Sequence, residues 1–289
     1  MKKLITLWTL LILLVTGCAP VGFHEPVPAD GILKVVFIDV GQGDSALIIA
    51  PDGTAMLIDG GVPGAFKTVD QVMAAYGVKK LEVMVGTHAH DDHIGGLVNI
   101  LNKYPVARLY SNGQEDSRVY SAFTSAARVQ GLSPQPLQAR NFFQLTDQVV
   151  CDVLGPESAQ ESQGNAASIV LRLRYGNHSF LFTGDAEKGE EKAIVDRYGH
   201  KIRSTVVKVG HHGSPTSSSP AFVQAAAPNV AIISVGQNNY NHPDKLVIKR
   251  WQQIGAEVYT TETSGHLALE SDGDKLYLAA QKTSQALAA

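Results

Sequence analysis

The segment Thr87-His88-Ala89-His90-Asp91-Asp92-His93 decides how this chain is interpreted. Its three imidazoles and two carboxylates follow directly on the apolar stretch from Leu81 to Val85, which predicts a buried strand. A loop that leaves a strand and enters a helix near Ile94 can turn the first two histidines toward one ion, and Asp92 and His93 toward a second. Imidazole nitrogen and carboxylate oxygen suit zinc, and also manganese or iron. The segment therefore predicts a site for two divalent metal ions, with zinc as the preferred ion.

Strand and helix signals occur in the same order twice along the chain. In the first half a strand runs into Asp59, a helical pattern follows, and the next strand ends before His88; in the second half Asp185 and His211 hold the same places. We interpret this order as a degenerate duplication. It predicts two facing sheets with helices on their outer faces and strand ends at one shared edge. Strands are predicted at 33–40, 45–49, 55–58, 81–85, 169–175, 179–183, 205–209, 230–235, 257–260, 266–269 and 275–279, and helices at 66–76, 187–198, 220–227 and 244–254.

A two-metal site also needs ligands from the second half of the chain. The pair His211-His212 and the histidine of Asn241-His242-Pro243 are candidates, because both follow predicted strands. Either residue of the pair can bind metal. We favour His211 as the ligand and His212 as a residue that orients a ligand or donates a proton. His242 is expected to complete the site that contains Asp92 and His93.

The cluster resembles the His-x-His-x-Asp-His signature of the metallo-beta-lactamase-fold hydrolases, which His88, His90, Asp92 and His93 match. The resemblance implies an α/β fold, a four-layer αββα sandwich of two duplicated halves. It also gives a role to Asp185, which looks like the strand-end aspartate that bridges two metals in that superfamily. A carboxylate can offer one oxygen to each cation. The expected metal ligands are His88, His90, Asp92, His93, Asp185, His211 and His242.

Within that superfamily the chain most resembles the hydrolase-like domain of ComEC-type DNA-uptake competence proteins and their stand-alone relatives. The resemblance implies that Asp44 and Asp59 orient groups around the metals, rather than binding them. The segments that carry it are Phe37 to Ser45, Leu57 to Gly61, His88 to His93, Asn165 with Ser168, Thr183 to Asp185, Lys208 to Ser214, and Asn241 to Pro243.

The chain departs from the broader superfamily pattern at one ligand. Many members have a further ligand histidine between the first cluster and the bridging aspartate, and His178 is the only histidine in that interval. His178 is predicted at the far end of its strand, where it is poorly placed to reach the metals. The first metal site therefore recruits His211 or binds its ion weakly.

The predicted reaction is hydrolysis. Two metal ions can generate hydroxide near neutral pH and hold both oxygens of a phosphoester displacement. Our first hypothesis is a phosphodiesterase or nuclease-like enzyme, whose relatives imply nucleic acid strands, nucleotides or envelope phosphodiesters as substrates. Its expected catalytic residues are Asp92, His212, Asn165 and Ser168, the last three in contact with the substrate or leaving group. The alternatives are a lactam or other ester hydrolase, and a catalytically vestigial, lipid-anchored accessory protein for DNA uptake or envelope assembly.

The N-terminal sequence predicts export. Lys2 and Lys3 precede an apolar stretch that ends at Val15, which is typical of a secretory signal, and Val15-Thr16-Gly17-Cys18 resembles the lipobox of bacterial lipoproteins. We expect a lipoprotein signal peptide at 1–17, a tether at 18–31 and a hydrolase domain at 32–289. Lipidated Cys18 would anchor the protein at a membrane, facing outside the cytoplasm.

Composition limits the partners. The 289 residues include 24 Lys and Arg against 27 Asp and Glu, a net charge of −3, and 44% of them are hydrophobic. This balance is typical of a globular protein, and it excludes the basic surface on which an extended nucleic acid duplex binds. A small phosphoester remains compatible with it, because metal ions would supply the positive charge.

Overall fold

The fold is described from a computed structural model of the chain, which covers residues 29–114, 117–158 and 163–281. The predicted signal peptide, Cys18 and most of the tether lie outside the described residues. Within the described ranges, no helix is both long enough and apolar enough to cross a membrane.

Two sheets form the centre of the protein. In the part of the chain that the structure describes, an eight-stranded sheet has the order β15-β14-β1-β2-β3-β4-β5-β6 and a seven-stranded sheet has the order β13-β12-β11-β10-β9-β8-β7. The strands are β1 (Leu33–Phe37), β2 (Ala46–Ile49), β3 (Ala55–Ile58), β4 (Leu81–Val85), β5 (Val106–Ser111), β6 (Gln135–Pro136), β7 (Phe142–Thr146), β8 (Val149–Gly155), β9 (Val170–Tyr175), β10 (His178–Phe182), β11 (Val206–Lys208), β12 (Val230–Ile233), β13 (Glu257–Thr260), β14 (His266–Ser271) and β15 (Leu276–Gln281).

Helices cover the outer faces of both sheets. One apolar cluster joins the inner faces of the sheets, where the rings of Phe37 and Phe182 stack with centroids 5.7 Å apart. Separate clusters bury helix residues on each outer face, among them Phe123 on the first sheet and Trp251 on the second. The predicted four-layer sandwich is thereby confirmed. The helices are α1 (Phe66–Ala75), α2 (Asp91–Lys103), α3 (Arg118–Val129), α4 (Lys188–Tyr198), α5 (Pro220–Ala226), α6 (Lys245–Gln253) and α7 (Thr261–Ser264).

The duplicated order of elements is present in the strand pairing. In the first half β2 and β3 are antiparallel, and β3 then pairs in parallel with β4 after α1. In the second half β9 and β10 are antiparallel, and β10 pairs in parallel with β11 after α4. The segments that follow β4, β10 and β11 therefore carry all the predicted metal ligands except His242, which follows β12, and the loop after β3 carries Asp59.

The helix after the histidine cluster begins earlier than predicted. α2 starts at Asp91, so Asp92 and His93 lie in its first turn instead of the loop before it. Backbone contacts fix this turn: the amide of Gly60 donates to the carbonyl of His93 at 2.7 Å. A Cβ added at Gly96 would lie 2.0 Å from the carbonyl oxygen of Gly60, so glycine permits this close approach of α2 to the loop after β3.

Candidate metal centre

The carboxylate of Asp185 lies at the centre of the candidate site. Its Oδ1 is 3.2 Å from Nε2 of His93, and its Oδ2 is 3.5 Å from Nε2 of His212 and 3.9 Å from Nε2 of His88. The residue follows β10 after the turn at Gly184, whose φ is 50°. One carboxylate thus lies between imidazoles from both halves, as a bridging ligand would.

The first group of donors is built from the start of the histidine cluster. The ligand atoms of His88, His93 and Asp185 lie within 4.8 Å of one another. Nε2 of His88 is also 2.9 Å from Nδ1 of His90, which is exposed at the pocket. Burial, and then the nearby His93, lower the pKa of His88 well below its usual value, so its imidazole is neutral and available as a ligand.

The second group of donors contains His212 instead of His242. Asp92, His93 and His212 offer ligand atoms within 4.8 Å of one another, and Nε2 of His212 is 3.3 Å from Oδ2 of Asp92. The other ring nitrogen of His212, Nδ1, donates to the carbonyl of Ser234 at 2.9 Å, which leaves Nε2 directed at the carboxylates. Our assignment of His212 to an orienting or proton-donating role is corrected, because its ring is buried within the donor group.

His242 lies outside each of these groups, against our expectation that it completes the second site. Its ring packs against the ring of His211 at a centroid distance of 5.6 Å and against that of Tyr240 at 5.7 Å. His242 lines the open pocket, and its Nδ1 is buried without a hydrogen-bond partner among the described residues. Its loop, beyond β12, stacks the ring against His211 and Tyr240, and it contributes no atom to the donor groups.

His211, the residue of the pair that we favoured as a ligand, has its Nε2 3.8 Å from Oδ2 of Asp185. Its Nδ1 faces Oε1 of Glu187 at 3.2 Å and Oγ1 of Thr216 at 3.1 Å. His211 and His212 have φ values of 50° and 51°, a strained conformation for residues with side chains. The consecutive left-handed residues direct the two neighbouring rings to different contacts around one carboxylate.

The donor set fits a divalent cation. Among the described residues, Nε2 of His93, Nε2 of His212 and Oδ1 of Asp185 are buried and make no hydrogen bond. Buried polar atoms in proteins nearly always have a partner. These two imidazole nitrogens and one carboxylate oxygen face one another without hydrogen bonds, which is the arrangement that metal ligands require.

The charges around the site favour cations. Although burial lowers the pKa of His93, the carboxylates of Asp185, Asp59 and Asp44 raise it well above its usual value. Burial raises the pKa of Asp185, but His212 and His93 hold it well below its usual value. The surplus of buried carboxylates that attracts protons to these imidazoles would equally attract metal ions.

Asp59 makes two short hydrogen bonds next to these imidazoles, and Asp44 lies beside His212; both carboxylates also belong to candidate donor groups. Oδ1 of Asp59 accepts from the amide of Thr87 at 2.8 Å, and Oδ2 accepts from Nδ1 of His93 at 2.8 Å. Oδ1 of Asp44 is 3.3 Å from Nδ1 of His212. Because Nδ1 of His93 donates to Asp59, Nε2 is the ring nitrogen that would bind a metal once its proton is displaced.

Ser168 and Asn165 lie on the same side of the centre but differ in exposure. Ser168 is 0% exposed, and its hydroxyl accepts from the amide of Asp185 at 3.0 Å and lies 3.3 Å from Nδ1 of His88. It therefore positions two ligands, which corrects our expectation that it contacts the substrate. Asn165 lines the open pocket, with Nδ2 3.3 Å from Nε2 of His211.

Comparison with known proteins identifies the family. Residues 38–237 match the model of the metallo-beta-lactamase superfamily. The chain belongs to this superfamily. It is 32% identical to the ComE operon protein 3 of Bacillus subtilis over 282 residues, which cover 88% of this chain and 35% of that protein. It is 32% identical to the competence protein ComA of Neisseria gonorrhoeae, over 84% of this chain and 33% of that protein.

The chain thus spans about a third of the length of these curated relatives. A solved structure with the same superfamily fold is CmlA, a diiron beta-hydroxylase from Streptomyces venezuelae, with a TM-score of 0.54 and 16% identity over 85% of this chain and 55% of that chain. This likeness supports the fold. The chain has the hydrolase-type fold of the superfamily, which typically binds two metal ions.

Sequence reasoning missed two charged residues of this superfamily site. Lys208, at the end of β11, is buried, pairs with Asp44 and donates to the carbonyl of Gly184 at 2.9 Å. Glu187 was read only as the start of a helix, yet it contacts His211. For Lys208, the sequence signal was a lysine within an apolar strand. The contact of Glu187 with His211 depends on a loop conformation that no sequence pattern indicated.

Proposed function

We propose that this protein is a dinuclear metal-dependent phosphodiesterase. The observation that carries the proposal is the single carboxylate of Asp185 between two groups of donors at the base of an open pocket. A carboxylate in that place can contact two cations at once, and two neighbouring cations suit phosphoester hydrolysis. The buried, unpaired donor atoms described above support the same reading.

The ligands divide between the two ions by their contacts. For one ion we propose His88, with His90 beside it, and His211; for the other we propose Asp92 and His212. His93 belongs to both donor groups and lies between them. Bound divalent ions would supply hydroxide near neutral pH and would neutralise the charge on the reacting phosphoryl group. Asp59 and Asp44 hold the rings of His93 and His212 in position.

Two pocket residues are available to the substrate itself. Asn165 and His242 both line the pocket, and each has a buried polar atom without a hydrogen-bond partner among the described residues. The amide nitrogen Nδ2 of Asn165, which lies 3.3 Å from Nε2 of His211, can donate a hydrogen bond to a non-bridging phosphoryl oxygen. The imidazole of His242 can hydrogen-bond to the leaving oxygen. His242 thus takes the substrate-facing role that we had expected of His212.

A phosphodiester is favoured over a lactam because the curated relatives carry names that refer to competence, including ComE operon protein 3 and competence protein ComA. If this chain also acts on DNA, the bond that it would hydrolyse is a phosphodiester of the DNA backbone. The net charge of −3 is compatible with a substrate recruited by metal ions at one site, instead of along a basic surface.

Metal analysis and three assays of the purified full chain test this proposal. We expect two divalent ions per chain, with zinc preferred, and turnover of bis(4-nitrophenyl) phosphate and a single-stranded oligonucleotide. Turnover of a chromogenic lactam without phosphodiester cleavage would replace the proposal with the lactamase alternative. Less than one ion per chain and no turnover would leave the vestigial accessory protein as the remaining reading.

We also propose that the enzyme acts outside the cytoplasm, anchored through a lipid on Cys18. The support is the resemblance of Val15-Thr16-Gly17-Cys18 to a lipobox after an apolar segment. Cys18→Ser should move the protein from the membrane to the soluble fraction, and unchanged fractionation would refute lipid anchoring.

A further inference from the structure

The pocket above the metal centre extends beyond the ligands. Its volume is about 520 Å³, within the range of roughly 300 to 1,000 Å³ that is usual for small-ligand sites. The residues that line it come from both halves of the chain and include Gln42, Arg118 and Tyr240. Arg118 is the one Lys or Arg among the described lining residues, and Tyr240 is the one Phe, Tyr or Trp among them. These two side chains are candidates for substrate recognition.

Tyr240 presents an aromatic ring to solvent next to the metal centre. It is 71% exposed, and its ring is tilted by 31° relative to the ring of His242. The loop that carries it is held in shape, because Oδ1 of Asn238 accepts from the amides of Tyr240 at 3.0 Å and His242 at 3.1 Å. An ordered, exposed ring of this kind is a platform on which a flat ligand can stack without a large ordering cost.

Arg118 is the other unusual feature of the pocket. It lies in the first turn of α3, after the N-cap residue Ser117, and both residues line the pocket. Arg118 is exposed and makes no hydrogen bond or ion pair with another described residue. The carboxylates of the lining, Asp91, Asp92 and Asp185, repel anions, so Arg118 is the protein side chain of this lining that is suited to hold an anionic ligand near the metals.

We propose that Tyr240 and Arg118 form a nucleotide subsite that makes single-stranded nucleic acid the substrate class of this enzyme. A base stacks on Tyr240, a flanking phosphate binds Arg118, and the scissile phosphodiester lies at the metal centre. This subsite rests on the proposed phosphodiesterase function. A single strand is required because the bases of a duplex are stacked on one another and cannot reach the ring of Tyr240.

The same two residues argue against a choline-bearing envelope phosphodiester. Quaternary ammonium groups are recognised by cages of several aromatic rings. Here Tyr240 is the one such ring among the described lining residues, and the guanidinium of Arg118 would repel a second cation. A nucleotide, with a neutral aromatic base and an anionic phosphate, matches both residues.

Kinetics on paired oligonucleotides test the subsite in the full chain. The substrates are a deoxythymidine hexanucleotide and a hexanucleotide of the same backbone that lacks bases. For Tyr240→Ala we expect KM for the base-bearing strand to rise roughly 10-fold, while Tyr240→Phe retains the native KM. The preference for the base-bearing strand should therefore collapse in the alanine variant. Tyr277→Ala is the matched control, since Tyr277 is an aromatic residue 56% exposed that does not line the pocket.

The role of Arg118 is tested by removing its charge and measuring KM at several salt concentrations. Arg118→Ala should raise KM for both strands several-fold and reduce its dependence on salt concentration, and Arg118→Lys should restore part of the loss. Arg128→Ala, on the exposed last turn of α3, is the control.

The outcomes separate the subsite from the phosphodiesterase activity. If the native chain binds the hexanucleotide with an affinity that depends on Tyr240 but cleaves no phosphodiester, the subsite stands and the proposed activity fails. If cleavage occurs and both alanine variants behave like their controls, the subsite is overturned. Faster cleavage of a phosphorylcholine diester than of the hexanucleotide would also overturn it.

Discussion

The two halves of the chain end equivalent strands in different ways. In the first half β3 is followed at once by Asp59, whereas in the second half β10 is followed first by Thr183 and, two residues later, by Asp185. Both Asp59 and Thr183 bind the end of the next parallel strand. Asp59 contacts Thr87 beyond β4, and the hydroxyl of Thr183 donates to the carbonyl of Lys208 on β11 at 2.7 Å.

This difference explains why one aspartate supports the ligands and the other lies among them. Asp59, immediately after its strand, is 1% exposed, and its carboxylate accepts hydrogen bonds from Thr87 and His93. The additional turn at Gly184 carries Asp185 past that position and into the space between the histidines. Asp59 and Asp185 thus follow related strands. The two additional residues before Asp185 give its carboxylate different contacts from those of Asp59.

The largest effect is expected from Asp185→Asn. An amide cannot provide two anionic oxygens to two cations, so both ions should be lost and kcat/KM for phosphodiester hydrolysis should fall about 1,000-fold or more. Metal content by mass spectrometry and turnover measure the two effects separately. Full activity in this variant would show that the assignment of the bridging ligand is wrong.

A smaller effect is expected from Asp59→Asn, if Asp59 acts only through its neighbours. The new amide would donate toward Nδ1 of His93 and favour the tautomer with a proton on Nε2, which cannot bind metal. We expect metal affinity to fall about 10- to 100-fold, with the second ion affected first. Zinc titration checks this, and a complete loss of both ions, as in Asp185→Asn, would erase the proposed distinction between the two aspartates.

Glu187→Gln probes the corresponding support in the second half. Glu187 faces Nδ1 of His211, so loss of its charge should weaken the metal site near His211 by up to about 10-fold. Glu190→Gln is the matched control, because Glu190 belongs to the same capping box of α4 without a described contact to His211. Equal metal affinities in the two variants would limit Glu187 to a role in the helix cap.

The smallest expected effect is a change in stability when Asp70, on a helix that covers the first sheet, is replaced. Although burial raises the pKa of Asp70, hydrogen bonds from Lys103 and Tyr104 hold it below its usual value. This interaction should therefore stabilise the fold above the unfolded pKa of about 3.9 and be lost as the pH falls through the folded pKa. Thermal unfolding of Asp70→Asn should show a deficit below about 1 kcal/mol at pH 7 that disappears near pH 2.

On the helices of the second sheet, Glu191 has a pKa shift opposite to that of Asp70. Burial raises the pKa of Glu191, whose carboxylate accepts from the amides of Ser218 and Ser219. Its contribution should therefore diminish as the pH rises through its folded pKa. If Asp70→Asn and Glu191→Gln changed stability with the same pH dependence, this contrast between the two halves would be wrong.

Much of the fold was predictable because apolar strands and turn residues are local signals. The predicted bounds of β3, β4 and β13 match the structure, and most other predicted elements differ by one to three residues at their ends. The start of α2 was predicted late because His-Asp-Asp-His is polar and reads as loop. In the structure its backbone is fixed by contacts with Gly60 and Gly61, which are distant in the sequence.

The ligand roles were less predictable than their positions. Sequence spacing located His211, His212 and His242 but could not decide among them, since the direction of each ring depends on backbone φ and on packing. Ser168 illustrates the same limit: its place in a motif suggested the substrate, whereas its complete burial shows contacts to Asp185 and His88.

The sequence by itself determined the set of candidate metal ligands, the duplicated order of elements and the superfamily resemblance, because these depend on residue type and on spacing along the chain. Tertiary structure decided that His212 instead of His242 lies beside Asp92 and His93, and that Lys208 pairs with Asp44. These outcomes follow from distances between residues brought together from separate loops. They depend on turns of a few residues at strand ends, where a change of two positions moves a carboxylate from a supporting contact to the centre.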